Sequence, residues 1–457
     1  MRHKKPTFFY ATLISLFLIS GTTAQELEPL PDRLIVGKDR RFLYQKEGTK
    51  PFFYLGDTAW ELFHRLNREE ADLYLRDRAS KGFTVIQAVV LAEVDGLNTP
   101  NPYGDKPLKN NDPTQPNEAY FQHVDYIVNR AAELGLYIGM LPTWGDKWNK
   151  AWGVGPEIFN PTNAEAYGRY LGNRYKDKPI IWILGGDRNP DREEHLAIIR
   201  AMAKGLQTGH KGKHLMTFHP QGGSSSSIWF QKDEWLAFNM FQSGHTQPNL
   251  PNYEATLQDY ALNPPKPVLD GEPRYEDHPI GWNPEKGWFD NADVRQAAYW
   301  SMLSGALGHT YGNHNIWQMW QEGREPISSA RTPWRKALKH PGSTEMGYMR
   351  RLFESRPFNQ LVPDSAMIVG PAGDGADRIA AARAANGLFA FIYTPTGQSI
   401  NADLRKITGS EVQAYWFNPR TGRSRVIGKF SNKSTQRFQP STSGRGNDWV
   451  LVLDSVN

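Results

Sequence analysis

Two short stretches carry the residues best suited to chemistry. At 179–189 the chain reads PIIWILGGDRN, and at 267–274 it reads PVLDGEPR. In each, a short apolar run, closed in the second by Asp270, leads to glycine and then to a carboxylate, Asp187 in the first and Glu272 in the second. Runs of this composition read as strands buried on both faces. Glycine lets the backbone turn sharply and approach a ligand closely just ahead of each acid. Two carboxylates facing one cavity are the minimum equipment for glycoside hydrolysis, provided one is protonated and the other ionised. Asp187 is therefore expected as acid/base and Glu272 as nucleophile, with Arg274 holding Glu272 ionised. The pairing implies a retaining mechanism, with the carboxyl groups roughly 5–5.5 Å apart.

Such acids need strands that end at one face. From residue 52 onward, strand-like and helix-like segments alternate. Strands are expected at 52–56, 83–91, 137–141, 180–184, 214–218, 236–241, 268–270 and 308–311, and helices at 67–81, 118–134, from Asn160 or Thr162 to 175, 192–207, 253–262 and 293–307. The fifth unit is the weakest, because GGSSSS interrupts it. Long helical crossovers force parallel strand order. The predicted fold class is thus α/β, a (β/α)8 TIM barrel over 25–358. An open doubly wound sheet is the alternative, disfavoured because no phosphate-type glycine loop follows the first strand. Ahead of the barrel, 34–50 alternates as a hairpin. From about residue 359 the pattern changes to short alternating runs separated by turns, which predicts an antiparallel β-sandwich over 359–457 that packs on the barrel as an accessory domain.

Residues just past the barrel strands would share a cavity with the two acids. They are Asp57, Trp60, Gln87, Trp144, Arg188, Asn189, His219, Gln242, His245, Arg274, Asn313, His314 and Trp317. Polar groups beside tryptophans suit a sugar, whose hydroxyls need partners and whose ring faces are apolar. Structural readings compete. Asp187 could cap the helix that follows, Glu272 could serve Arg274, and Asp57 could cap a turn. The separated histidines, with no HxH pair, argue against a metal site, and no cofactor is expected.

Composition narrows the class. The chain has 457 residues and no Cys, which excludes disulfides, thiolate metal sites and a lipoprotein anchor. Residues 1–24 have a basic start, an apolar centre over 8–19 and a small residue at Ala24, the pattern of a secretory signal peptide. Its removal would take Arg2, Lys4 and Lys5 from the 53 basic residues and none from the 48 acidic ones, leaving a nearly neutral chain. No basic block suggests nucleic acid, and no membrane association is expected after cleavage. A secreted or periplasmic location follows.

The motifs YLGDTAW at 54–60, ILGGDRN at 183–189, FHP at 218–220 and DGEPRYE at 270–276 together resemble the apiosidase-like glycoside hydrolases of family 140. The resemblance spans nearly all of the chain after the signal, including the small β domain. It implies a bacterial enzyme cleaving apiose linkages in rhamnogalacturonan II, with the catalytic acid at Asp187 and the nucleophile at Glu272. The partner is then a polysaccharide or oligosaccharide substrate. A barrel glycosidase of other specificity, such as an arabinofuranosidase, and a non-catalytic carbohydrate-binding protein are the remaining readings.

Overall fold

The computed structural model describes residues 31–45 and 48–456, so the expected signal segment lies outside the described residues. The alternating stretch at 34–50 forms a three-stranded antiparallel sheet: β1 (Ile35–Val36), β2 (Leu43–Gln45) and β3 (Lys50–Phe52).

Eight parallel strands follow, β4 (Tyr54–Thr58), β5 (Val85–Leu91), β6 (Tyr137–Thr143), β7 (Ile180–Gly185), β8 (Met216–His219), β9 (Asn239–Phe241), β10 (Val268–Asp270) and β11 (Gly308–Tyr311). Six of them pair in the order β11-β4-β5-β6-β7-β8, and β9 pairs with β10. A parallel bridge from Met216 to Leu236 connects β8 with the approach to β9. On the other side Leu307 N–H, just before β11, donates to Val268 O of β10 at 2.9 Å. The result is a curled, barrel-like parallel sheet. Every residue of the eight strands is buried, as expected where side chains fill one face and helices cover the other.

Local chemistry fixes the helices. Asn67 and Glu70 form a reciprocal capping box on Arg68–Ser80, and Asn160 with Asn163 does the same for Pro161–Tyr175, so Asn160 rather than Thr162 is the cap. Such caps are worth about 1 kcal/mol each. Pro161–Tyr175 and the next helix, Glu193–His210, approach backbone to backbone. A Cβ added at Gly205 would stand 2.1 Å from Glu165 O, so glycine there sets the spacing of the two helices that flank β7 in the chain. The interrupted fifth unit holds only a one-turn helix, Ser227–Phe230.

The C-terminal part is an antiparallel β domain. Strands β12 (Leu361–Pro363), β13 (Ala380–Ala384), β14 (Phe389–Thr394), β15 (Ile400–Asp403), β16 (Glu411–Asn418), β17 (Arg423–Ser431), β18 (Thr435–Phe438) and β19 (Trp449–Val456) form a six-stranded sheet, β12-β13-β14-β19-β16-β17, and a pair, β15-β18. The period of two explains the packing. Ala390, Ile392, Leu451 and Leu453 join a core with Ile400, Ala402 and Phe438 of the pair, whereas Phe389, Phe391, Tyr393, Val450 and Val452 belong to the barrel's core. Tyr393 stacks on Tyr299 of the helix Asn291–Leu303 at 4.7 Å between ring centres. From that helix Arg295 reaches Glu345 at 2.7 Å and Asp448 at 2.8 Å, an ion-pair cluster buried between barrel and β domain.

Candidate active site

β7 delivers Asp187 through a turn only small residues can make. Gly185, Gly186 and Asp187 have φ of 97°, 90° and 58°. A side chain at Gly186 would meet Trp144 Cα and Gly145 N at 2.9 Å. Aspartate enters the left-handed region more readily than most residues, at a cost of order 1 kcal/mol, and such strain clusters at functional positions. Arg188 anchors the turn from behind: it donates to Asp187 O at 2.6 Å and to Trp152 O at 2.5 Å, and its guanidinium lies 3.6 Å over the Trp152 ring. Burial, and then the charge of Glu272, push the Asp187 carboxyl up to about 7 against the pull of His219 and Arg188.

Two histidines meet the carboxylate of Glu272. His245 Nε2 bonds Oε1 at 3.1 Å, and His219 Nε2 stands 3.1 Å from Oε2, off the hydrogen-bond direction. Burial alone would raise this carboxyl; the two imidazoles outweigh it and hold Glu272 down to about 2. The backbone N–H of Asp187 donates to His219 Nδ1 at 3.2 Å, so that nitrogen acts as an acceptor and the ring's N–H is on Nε2, the nitrogen beside Glu272. The residue expected to hold Glu272 ionised, Arg274, does not do so. It is buried on the helix side, donating to Leu250 O, Asp293 O and Gln296 Oε1. One carboxyl that keeps its proton to near neutrality beside one that is ionised is the division of labour that acid-assisted glycosyl transfer needs.

Both acids open into a cavity of about 550 Å³ at the carboxyl ends of the strands. Of the residues singled out in the sequence, Trp60, Trp144, Asp187, Gln242, His245, Glu272, His314 and Trp317 line it, and His219 stands behind Glu272. The others are placed elsewhere. Asp57 lies within β4, whose alternation turns it outward to Arg78 Nε (2.5 Å) and Tyr74 Oη (2.6 Å). Gln87 points into the barrel core, where it accepts from Tyr54 Oη and donates to Gly271 O. Asn189 ties Ser224 and Gln221. Asn313 caps the turn His314–Trp317 and bonds His340. Arg188 and Arg274 act as anchors, as described.

Glu93, Trp152, Tyr275, His278 and Trp282, none of them among the residues expected from the sequence, also stand on the cavity wall. Trp152 and Trp282 are 42% and 52% exposed, better platforms for a ring than the buried Trp144 and Trp317. Trp282 has φ of 60°, unusual for a bulky residue. His245, His278 and His314 form a ring cluster with 4.4 Å between successive centres, yet no group of acids or histidines among the described residues is placed to hold a metal ion. Glu93 was within reach of sequence reasoning. It stands two residues past the end of β5, as Asp187 does past β7 and Glu272 past β10.

Residues 37–360 match the model for the apiosidase-like catalytic domain, and 362–454 match the model for a domain ascribed to collagen binding in a collagenase. A solved structure described as a glycoside hydrolase is 35% identical, with 93% of this chain and 97% of that one covered and a TM-score of 0.85. A glycoside hydrolase family 5 structure from Bacteroides vulgatus ATCC 8482 is also 35% identical over 93% of each chain, TM-score 0.85. A further glycoside hydrolase from that organism, 16% identical, covers 93% of this chain and 82% of its own with a TM-score of 0.65 and shares the fold. No curated protein matches.

Proposed function

From the premise that the chain belongs to the apiosidase-like family of glycoside hydrolase catalytic domains, we propose that it is a retaining glycosidase that releases apiose-linked sugar from rhamnogalacturonan II, a pectin. The observation that carries the reading is the pair of acids: Asp187 pushed up to about 7 and Glu272 held to about 2, both facing one tryptophan-walled cavity. The catalytic half is taken as a (β/α)8 barrel over 25–358, with 359–457 as its accessory β domain. The leader at 1–24 would direct the enzyme to the periplasm or exterior.

The mechanism follows from the two acids. Asp187, protonated, donates to the glycosidic oxygen as the bond to the anomeric carbon breaks. Glu272 attacks that carbon and forms a glycosyl ester. Asp187, now ionised, takes a proton from water, which attacks the anomeric carbon, breaks its bond to Glu272 and frees the carboxylate. His219 and His245 keep Glu272 charged for the attack, and Tyr275, whose Oη accepts from Trp60 Nε1 at 3.1 Å, borders the same space.

The test is product analysis by mass and chromatography after incubating the purified chain with rhamnogalacturonan II and its isolated side chains, beside Glu272→Gln. Release of an apiose-terminated fragment by the wild type alone supports the reading. No product from that pectin, with cleavage of another furanoside such as an arabinofuranoside, would keep the acids and reassign the sugar.

A further inference from the structure

Glu93 is a third carboxylate in the cavity, and the two-acid mechanism does not use it. Its side chain makes no hydrogen bond or ion pair with another described residue. The charged groups around it are already engaged. Glu61 is held by His64 at 2.6 Å and faces Arg65, and Asp146 is paired with Lys147 at 2.7 Å. Arg188, the cation within electrostatic range, donates to Asp187 O, to Asp187 Oδ2 at 3.3 Å, and to Asn149 O and Trp152 O. The cavity wall itself carries no Lys or Arg among the described residues. Glu93 therefore faces Asp187 and Glu272 with no cation of its own, and burial, followed by the charge of Asp187, pushes its carboxyl well above the usual range.

A carboxylic acid that keeps its proton offers a donor and an acceptor together, which a carboxylate does not. That is the complement of a sugar hydroxyl. Two further polar atoms of wall residues, the indole N–H of Trp144 and Gln242 Oε1, are buried and have no hydrogen-bond partner among the described residues. Buried polar groups left unmade cost about 1–3 kcal/mol each, so a site holding several is built for something that pairs with them. We infer that Glu93 is a specificity residue of the reacting subsite, hydrogen-bonding a hydroxyl of the uncharged sugar ring held between Asp187 and Glu272. The inference rests on the glycosidase reading above and adds to it the group that recognises the ring.

The test uses the full chain and 4-nitrophenyl glycosides of neutral pentoses and hexoses, including the apiofuranoside. The glycoside that the wild type cleaves is compared with its monodeoxy analogues for wild type, Glu93→Gln and Glu93→Ala. At one ring position, loss of the hydroxyl is expected to lower kcat/KM roughly 10–100-fold in the wild type and less than about threefold in Glu93→Ala, with Glu93→Gln nearer the wild type because an amide still donates and accepts. Equal losses in wild type and Glu93→Ala at every position would overturn the inference, since a residue that only tuned Asp187 would not distinguish one hydroxyl from another. Carboxyl 13C NMR, assigned with Glu93→Gln, reads the proton without turnover. A Glu93 resonance that titrates above the ordinary glutamate range supports the inference, and titration within that range overturns it. A wild type that cleaves none of the glycosides would count against the glycosidase reading, while the NMR result still decides the state of Glu93.

Discussion

Asp187 and His219 are tied by one hydrogen bond, 3.2 Å from the backbone N–H of the first to Nδ1 of the second. That bond turns the proton-bearing Nε2 of His219 toward Glu272, 3.1 Å away. The strained turn that presents Asp187 thus also orients the ring that stands against Glu272.

His219→Ala removes this link. The Glu272 carboxyl, held to about 2 by the two histidines, rises toward its ordinary range. The rate of the wild type is expected to stay on its plateau well into acid and to fall above about pH 7, as Asp187 loses its proton. In His219→Ala the acid-side limb moves up by about one unit or more, and kcat/KM at neutral pH drops roughly 10–100-fold. A pH profile of kcat/KM for both proteins checks this; unchanged limbs would detach His219 from Glu272.

The two acids have opposite effects on stability. The folded-state carboxyl of Asp187 is raised, so the fold binds its proton more tightly than the unfolded chain does, and stability falls as pH rises from about 4 to about 7. Asp187→Asn is expected to melt a few degrees higher at pH 8. Glu272 is lowered in the fold, so its contribution is present above the unfolded value and is lost as pH falls toward 2. Glu272→Gln also leaves two histidines without their carboxylate and is expected to melt lower at pH 7. Thermal melts of the wild type and both variants from about pH 2.5 to pH 8 read the signs.

Trp152 and Trp282 stand exposed at the cavity wall, where a sugar ring would stack rather than react. Truncating either to Ala removes roughly 1–2 kcal/mol of binding, about a 5–30-fold rise in KM, with kcat changed less than threefold. Steady-state kinetics on the cleaved glycoside separate the two terms. A loss confined to kcat would place these rings at the reacting bond instead.

The β domain shares the barrel's core. Arg295→Ala leaves Glu345 and Asp448 buried without their partner and is expected to cost about 3–5 kcal/mol, whereas a chain ending at Gln360 would expose the face of Asn291–Leu303 that packs on Tyr393. Poor soluble yield of the truncated chain and a lower melting temperature for Arg295→Ala are the expected results. A truncated chain that melts like the full one would mean that the two halves fold independently.

Much of the fold could be read from the sequence, because strands covered on both faces leave continuous apolar runs and the helices between them carry their own caps. The two acids were legible for a related reason, since each follows glycine just past such a run. Side-chain direction was harder. Reading the first strand as ending at Gly56 put Asp57 over the mouth; the strand continues to Thr58, and alternation turns Asp57 outward to Arg78. Arg274 was matched to Glu272 by spacing alone, but the chain between them turns the guanidinium toward Gln296 while histidines from the ends of β8 and beyond β9 converge on the acid. Trp152 and Trp282 sit in loops whose course no periodicity records. Glu93 shares the two-residue offset of Asp187 and Glu272 but follows Ala92, so no glycine marks it in the sequence.

The most direct measurement is peptide mapping by mass spectrometry after inactivation with an activated 2-deoxy-2-fluoro glycoside of the sugar that is cleaved. The covalent sugar is expected on Glu272, absent from Glu272→Gln, with NMR of the first-formed product showing the anomeric configuration of the substrate. A sugar attached to another carboxylate, or a first product of inverted configuration with no adduct, would contradict the assignment of Glu272 as nucleophile and Asp187 as its acid.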